Sequence, residues 1–337
     1  MKRARKATTI RDVAKAAGVS VSTVSRVLNE KADVSLETYD KVRRIIDELG
    51  YASSLAATSM RSQRTNVIGI LIVELGDPFS LELFKGVDRA IRGTEYDLIV
   101  YSSGHIAIHR EPGWERRHLS RFNSSLTDGT IVVTPTTNDL PSSSPLVAVD
   151  PHIDNAFPAV ISTNREGAFA VTEYMIGLGH RRIGFIGGRA ELLSAHQRQQ
   201  GYQEALVQAK LPIDLDLIQQ GDYTRKTAFE RAQTLLAQSS PPTAIFAAND
   251  QSALGVIDAA HQAGLRVPED LSVAGFDNIP QTAHMTPALT TVDQSVSEMG
   301  YVATQTLIKL IRGEPLISNL CQVSTKLIVR DSCRPVE

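Results

Sequence analysis

The sequence predicts a small N-terminal head of three helices, a short connecting segment, and a large two-lobed α/β body built on parallel sheets. Three observations carry this reading. Residues 9–29, TIRDVAKAAGVSVSTVSRVLN, hold two short amphipathic patterns separated by a glycine turn. From Val67 onward, continuous apolar runs alternate with stretches of helical period, in two successive series. Charge divides between the two parts. Residues 1–65 carry 13 Lys and Arg against 7 Asp and Glu, a net of +6; the remainder carries 22 against 30, a net of −8, which together give the −2 of the 337-residue chain.

In the head, Thr9 is placed to cap the first helix, and Asp12 puts a carboxylate where a helix N-terminus favours it. Val13, Ala14 and Ala17 then share one face. Gly18 ends the helix, because glycine enters the left-handed region without steric cost. Ser20 caps the second helix, with Val24, Val27 and Leu28 inward and Val21, Ser22, Thr23, Ser25 and Arg26 outward. A third helix over 35–49 presents Tyr39, Val42, Ile45, Ile46 and Leu49 at helical spacing, and Gly50 and Tyr51 end it.

Two helices joined in this way are a helix-turn-helix, whose second helix offers its exposed N-terminal residues to a DNA major groove. Val21, Ser22 and Thr23 are the expected base contacts, the Val21 methyls suiting a thymine methyl. Arg26, one turn on, reaches a base or a phosphate. Thr9, Ser20, Ser25 and Asn29 are placed for phosphates, which orient the head without reading sequence. A basic head on an acidic body fits a polyanionic partner. One head reads only a half-site, so the expected partners are palindromic operator DNA and a second copy of the chain, as a homodimer.

Residues 53–62, SSLAATSMRS, are rich in small side chains and too short for a stable isolated helix in water. Strands are then expected over 67–73, 96–101, 129–134, 146–149 and 159–162, with helices over 79–92 and near 114–122. A second series has helices over 167–178, 198–209, 226–238 and 253–263 and strands over 182–187, 217–219, 244–247 and 271–276. The tail adds a helix over 297–311 and strands near 322–329, expected to return to both lobes.

Ligands of open α/β sheets sit beyond the C-terminal strand ends, and in two-lobed bodies they sit in the cleft between lobes. Polar and aromatic residues in such places are Glu74, Asp77 and Phe79 in ELGDPF, Asp150, Tyr223 in QGDY, Asn249 and Asp250, Asp277 and Asn278, and Gln294 in LTTVDQ. Arg198 is expected to open the helix containing RQQGY. Asp250 and Asn278 read equally well as a helix cap or an Asx turn.

The run TIRDVAKAAGVSVSTVSRVLN, the third helix and Gly50-Tyr51 closely resemble the head of LacI-type transcriptional regulators, and the resemblance extends through most of the chain. It implies a helix-turn-helix headpiece at 1–52 and a hinge helix at 53–65 that orders on DNA and pushes an apolar side chain, here Met60, into the minor groove. Ser53 and Thr58 stand where many relatives have Pro and Arg. It further implies a periplasmic-binding-protein-like effector-binding and dimerisation domain at 66–337. The N-lobe would cover about 66–161 and 294–322, and the C-lobe about 162–293 and 323–337. By motif, Asp150, Arg198, Asn249, Asp277 and Gln294 fall on positions that bind an effector's polar groups, and Phe79 and Tyr223 on positions that pack against its ring. Paired carboxylates and a planar Arg suit vicinal hydroxyls, which favours a sugar or glycoside effector; a nucleobase, using the aromatic faces, is the alternative.

Other functions lack their signatures. RIGFIGG at 182–188 has neither the G-x-G-x-x-G spacing nor the following acid of a dinucleotide site. No G-x-S-x-G elbow appears, so no enzymatic activity is expected. His105, His109 and His118 have no ligand spacing and read as surface residues; Cys321 and Cys333 read as free thiols, and no metal or cofactor is expected. The basic N-terminus leads into a polar helix rather than an apolar signal core, so a cytoplasmic protein is expected rather than a transport receptor.

Overall fold

The computed structural model describes residues 8–28, 33–51, 64–102, 114–122, 126–140 and 144–336. Asn29, Met60, His105, His109 and most of the proposed hinge, including Ser53 and Thr58, lie outside the described residues. The chain divides into two compact units, Met1–Thr65 and Asn66–Glu337.

The first unit contains α1 (Ile10–Ala17), α2 (Val21–Leu28) and α3 (Leu36–Leu49). The Asp12 carboxylate accepts from the Thr9 backbone N–H at 2.8 Å and from its hydroxyl at 2.7 Å. Gly18 takes φ +65° and turns the chain into α2. Ser20 and Ser35 cap α2 and α3 by accepting from the Thr23 and Thr38 backbone N–H groups. Val13, Ala14, Ala17, Val24, Val27, Val42 and Ile46 form the buried core, with Leu28, Tyr39 and Ile45 packed at its edge. Leu49 departs from its expected inward place and is 39% exposed, because the 14-residue α3 outruns the 8-residue helices it covers.

The second unit contains two parallel sheets. The first has the order β11-β5-β4-β3-β1-β2, from β1 (Val67–Ile72), β2 (Asp97–Ser102), β3 (Gly129–Val133), β4 (Leu146–Val149), β5 (Ala159–Ser162) and β11 (Leu320–Val323). The second has the order β7-β6-β8-β9, from β6 (Ile183–Ile186), β7 (Ile218–Gln219), β8 (Ala244–Ala247) and β9 (Ser272–Ala274). Every pairing within these sheets is parallel, with Ile68 opposite Gly129 in the first and Ile183 opposite Ala244 in the second. Most of these strands are buried throughout, as continuous apolar runs require; the edge strands β2, β7 and β11 are not. In each sheet the strand order reverses beside the first strand, at β1/β3 and at β6/β8. These are the switch points where a crevice opens.

Helices cover both sheets: α4 (Pro78–Ile91), α5 (Trp114–Phe122) and α10 (Val296–Ile311) on the first, and α6 (Asn164–Gly177), α7 (Leu193–Gln208), α8 (Arg225–Leu236) and α9 (Asp250–Gln262) on the second. The α4–α10 pair meets backbone to backbone at glycines. A Cβ on Gly86 would lie 1.7 Å from the Ser297 carbonyl oxygen, and one on Gly300 would lie 2.3 Å from that of Leu83.

The chain crosses between the sheets three times: after β5, after β10 (Thr291–Asp293), and between β11 and β12 (Lys326–Ile328), which pairs antiparallel with β10. The crossings are tied together. The Thr163 N–H donates to the Val323 carbonyl at 2.8 Å, the Thr325 N–H to Thr163 Oγ1 at 2.9 Å, and Ser162 Oγ to Gln294 Oε1 at 3.1 Å. The tail thus serves both sheets.

His118 is half-buried rather than a surface residue, stacked on Tyr101 at 4.0 Å and hydrogen-bonded to its hydroxyl. Cys321 and Cys333 are free thiols. Among the described residues, no helix is long and apolar enough to cross a membrane, and no group of three or more His, Cys, Asp or Glu is placed to hold a metal.

Candidate functional site

Two sites emerge, one in each unit. In the head, the Ser20 hydroxyl lies 2.7 Å from that of Ser22 and 2.8 Å from that of Thr23, so three hydroxyls gather at the start of α2. Val21 is 37% exposed, Ser22 and Arg26 are exposed, and Thr23 and Ser25 are half-buried. Thr9 starts α1 in an exposed position. Backbone N–H groups, hydroxyls and the positive end of the helix dipole at one helix start form a surface suited to phosphate and base edges. Arg26 differs from the free arm the sequence implies: its Nε lies 3.3 Å from Asp33 Oδ2. That pair is exposed and contributes at most about 1 kcal/mol, so a phosphate competes with it readily.

In the body, Glu74, Asp77, Phe79, Asp150, Arg198, Tyr223, Asn249, Asp277 and Gln294 all line one cavity of about 450 Å³ between the two sheets. Asp77 stands at the N-cap of α4, whose first residue is Pro78. Asp150 follows β4, and Tyr223 precedes α8 on a loop against Gly188. Asn249 caps α9, accepting from the Ser252 N–H at 2.9 Å while its amide donates to the Tyr223 carbonyl at 3.1 Å. Asp150, Tyr223 and Asp277 have φ of +50°, +71° and +124°. Such conformations cost energy in non-glycine residues and gather where a site requires them.

Arg198 lies within α7 instead of opening it, and from there it lines the cavity. It is buried, its guanidinium carbon stacked 3.8 Å from the Phe276 ring centroid. Nε donates to Asn164 Oδ1 at 2.9 Å, Nη1 to the Ala248 carbonyl at 2.6 Å, and Nη2 to Gln294 Oε1 at 3.1 Å. Asp277 Oδ1 lies 3.6 Å from Nη1 and accepts from Gln294 Nε2 at 2.6 Å. Burial pushes Asp77, Asp150 and Asp277 above the usual carboxylate range; Arg198 opposes this at Asp150 and Asp277, and backbone N–H groups of Ser80 and Phe79 oppose it at Asp77. Burial also raises the Tyr223 hydroxyl to about 12.

Asp250 and Asn278 play structural parts. Asp250 is fully buried and accepts from the Ile279 N–H and the Thr282 and Thr291 hydroxyls, and Asn278 bridges Asp293 and Arg330. The cavity also includes Thr134, Arg189, Asp222, Thr224, Arg225 and Gln251, which sequence reasoning missed. Arg189 meets the same strand-end criterion as the others, three residues beyond β6, but the glycine pair before it reads only as a turn. Arg225 sits in the first turn of α8 and forks onto Asp258, so no strand end marks it.

Comparison with known proteins bears on both units. The family description "Bacterial regulatory proteins, lacI family" matches residues 9–54, and "Periplasmic binding protein-like domain" matches 172–333. The ribose operon repressor of Halalkalibacterium halodurans is 34% identical over 333 residues, covering 97% of each chain. The HTH-type transcriptional repressor PurR of Vibrio parahaemolyticus is 32% identical over 335 residues, covering 97% of this chain and 98% of that one. Among solved structures, the lac repressor dimer bound to operator and the anti-inducer ONPF superimposes with a TM-score of 0.84 at 25% identity, covering 98% of this chain and all of that one. The CelR–cellobiose complex gives 0.73 at 28% identity, covering 96% and 99%.

Proposed function

The chain belongs to the LacI family of bacterial regulatory proteins, and on that premise we propose that this ligand-responsive repressor senses a sugar or glycoside. The head, through α2, binds operator DNA, and two heads of a homodimer engage the halves of a palindrome. The effector occupies the cavity between the lobes, and its unequal affinity for two lobe arrangements sets the DNA response.

The observation that carries the carbohydrate reading is the cavity's balance of donors and acceptors. Glu74, Asp77, Asp150 and Asp277 bring eight carboxyl oxygens to the cavity, of which one on Asp277 accepts from Gln294 and one on Asp77 from Ser80, while three of the five N–H groups of Arg198 are spent on protein acceptors. Each sugar hydroxyl brings a donor to such a surface. A nucleobase, rich in ring acceptors, finds fewer partners. A ribose operon repressor and a cellobiose-bound regulator among the relatives agree with this reading. The second reading, a nucleobase effector, is favoured by the aromatic faces of Phe79 and Tyr223 on the cavity and by the PurR relatives.

A thermal-shift screen of the full chain separates the two. Neutral mono- and disaccharides, glycosides and purine bases are each added in excess, and a ligand that binds only the native state raises Tm. A sugar that raises Tm and changes operator affinity supports the proposal, and a purine that does so replaces it.

A further inference from the structure

Among the described residues lining the cavity, two buried side-chain atoms have no hydrogen-bond partner, one on Asp150 and one on Arg189. Asp150 is 8% exposed at the end of β4, and its Oδ1 is buried without a hydrogen-bond partner. Arg189 stands beyond β6 in the other lobe with its side chain 11% exposed. Its Nε donates to Glu191 Oε1 at 2.8 Å and its Nη1 reaches across to the Thr134 carbonyl at 3.4 Å, while Nη2 is buried without a partner. Both residues line the same cavity, and the Arg189 charge is near enough to act on Asp150. Buried polar atoms are rarely left unpaired, and at a binding cavity the missing partner is commonly the ligand.

We propose that Arg189 is a specificity-determining residue that, together with Asp150, reads one hydroxyl of a neutral sugar. This rests on the carbohydrate reading above. The guanidinium donates to the hydroxyl oxygen and the same hydroxyl donates to Asp150 Oδ1, so a single oxygen satisfies both lobes at once. An anionic group at this point satisfies Arg189 but meets Asp150, with Asp77 and Asp277 close behind. Glu191 already balances the Arg189 charge, so the pair offers no net attraction for a phosphate or carboxylate. An ammonium satisfies Asp150 but faces the guanidinium. The pair therefore selects the free sugar over its phosphorylated or oxidised forms, which places the recognised molecule before any phosphoryl-transfer step that consumes it.

The test is calorimetric titration of the full chain and of Arg189→Ala and Asp150→Asn. The probes are neutral pentoses, hexoses and disaccharides, the corresponding sugar phosphates and uronic acids, and hypoxanthine and guanine. The expected result is a neutral sugar that binds at least 10-fold tighter than its charged forms and loses roughly 10- to 100-fold with Arg189→Ala, a variant that still unfolds in one cooperative transition. One deoxy analogue of that sugar then binds wild type and Arg189→Ala equally, which identifies the hydroxyl. If Asp150→Asn does not fold, the Arg189 variant and the deoxy series still decide the matter. A neutral sugar whose affinity ignores Arg189→Ala overturns this inference and leaves the carbohydrate reading standing. A sugar phosphate or uronate that binds as tightly as the neutral form also overturns it. A purine ligand, or no binding by any probe, overturns both.

Discussion

Arg198 Nη2 donates to Gln294 Oε1 at 3.1 Å, and the other end of that amide donates to Asp277 at 2.6 Å. The same amide oxygen accepts from Ser162, and Arg198 Nε donates to Asn164, so one guanidinium joins two of the three crossings between the lobes. Cavity-lining residues and these crossings therefore belong to one hydrogen-bonded network. On the proposed effector reading, a ligand that displaces one of Arg198's partners redistributes bonds at the crossings, which is the route we propose from binding to lobe movement.

Arg198→Ala removes the guanidinium that, among the described residues, bonds to Asn164 and Gln294 in this network, and leaves Asp277 buried beside an emptied site. We expect a loss of about 3–5 kcal/mol in stability, as for other buried pairs broken on one side, together with loss of the ligand-induced Tm shift. Arg198→Lys keeps the charge but not the planar fork, and is expected to recover stability more than ligand binding. Urea unfolding and titration calorimetry on the two variants separate these effects.

The buried Asp250 makes stability depend on pH in an unusual direction. Burial raises its folded-state pKa from the ordinary 3.8 to about 7, so between those values the native protein holds a proton that the unfolded chain releases. Stability from this group is therefore greatest below about pH 4 and falls as the pH rises toward 7, by on the order of 4 kcal/mol. Asp250→Asn, which stays neutral, should flatten that part of the profile. Denaturant midpoints of both proteins from pH 4.5 to 8 provide the comparison, and parallel profiles would remove Asp250 from the account.

Gly86→Ala places a methyl group against the Ser297 backbone, where no rotamer relieves the clash. A destabilisation of about 1–3 kcal/mol or more is expected in thermal unfolding. Gly177→Ala, at the last position of α6 with open space around it, should instead stabilise by about 0.5–1 kcal/mol. Equal effects of the two would mean that helix contact does not govern the first.

In the head, Val21→Ala changes an exposed residue and Val24→Ala a fully buried one. The first should leave the helical signal intact and weaken binding to an in vitro-selected operator by about 1 kcal/mol or more, with little change in the salt dependence. The second should lower DNA binding through loss of the head's fold, with a matching loss of helicity. Gel-shift titrations at two salt concentrations alongside circular dichroism distinguish them.

Much of this protein follows from local rules. Period and capping residues place α1, α2 and nearly all strands within a residue or two, because a Ser or Thr cap and a glycine at positive φ act on neighbouring backbone alone. Residues just beyond strand ends converge in one cavity for a reason equally local, since parallel strands in one sheet all end on the same side. What the chain order cannot express is which partner a side chain spends its bonds on. Arg198 reads as an open donor at a helix start, but lies inside α7 with three N–H groups committed to Asn164, Ala248 and Gln294, residues 34, 50 and 96 positions away. Arg189 follows the glycine pair after β6 and no role is read for it in the sequence, yet the packing of the two lobes leaves its half-buried side chain on the same cavity as Asp150, with Nη2 unpaired. Sequence by itself determined the elements, the two lobes and the family; only the tertiary structure decided which polar groups are satisfied within the protein and which remain for a ligand, because that depends on distances between segments that meet only once both sheets have formed.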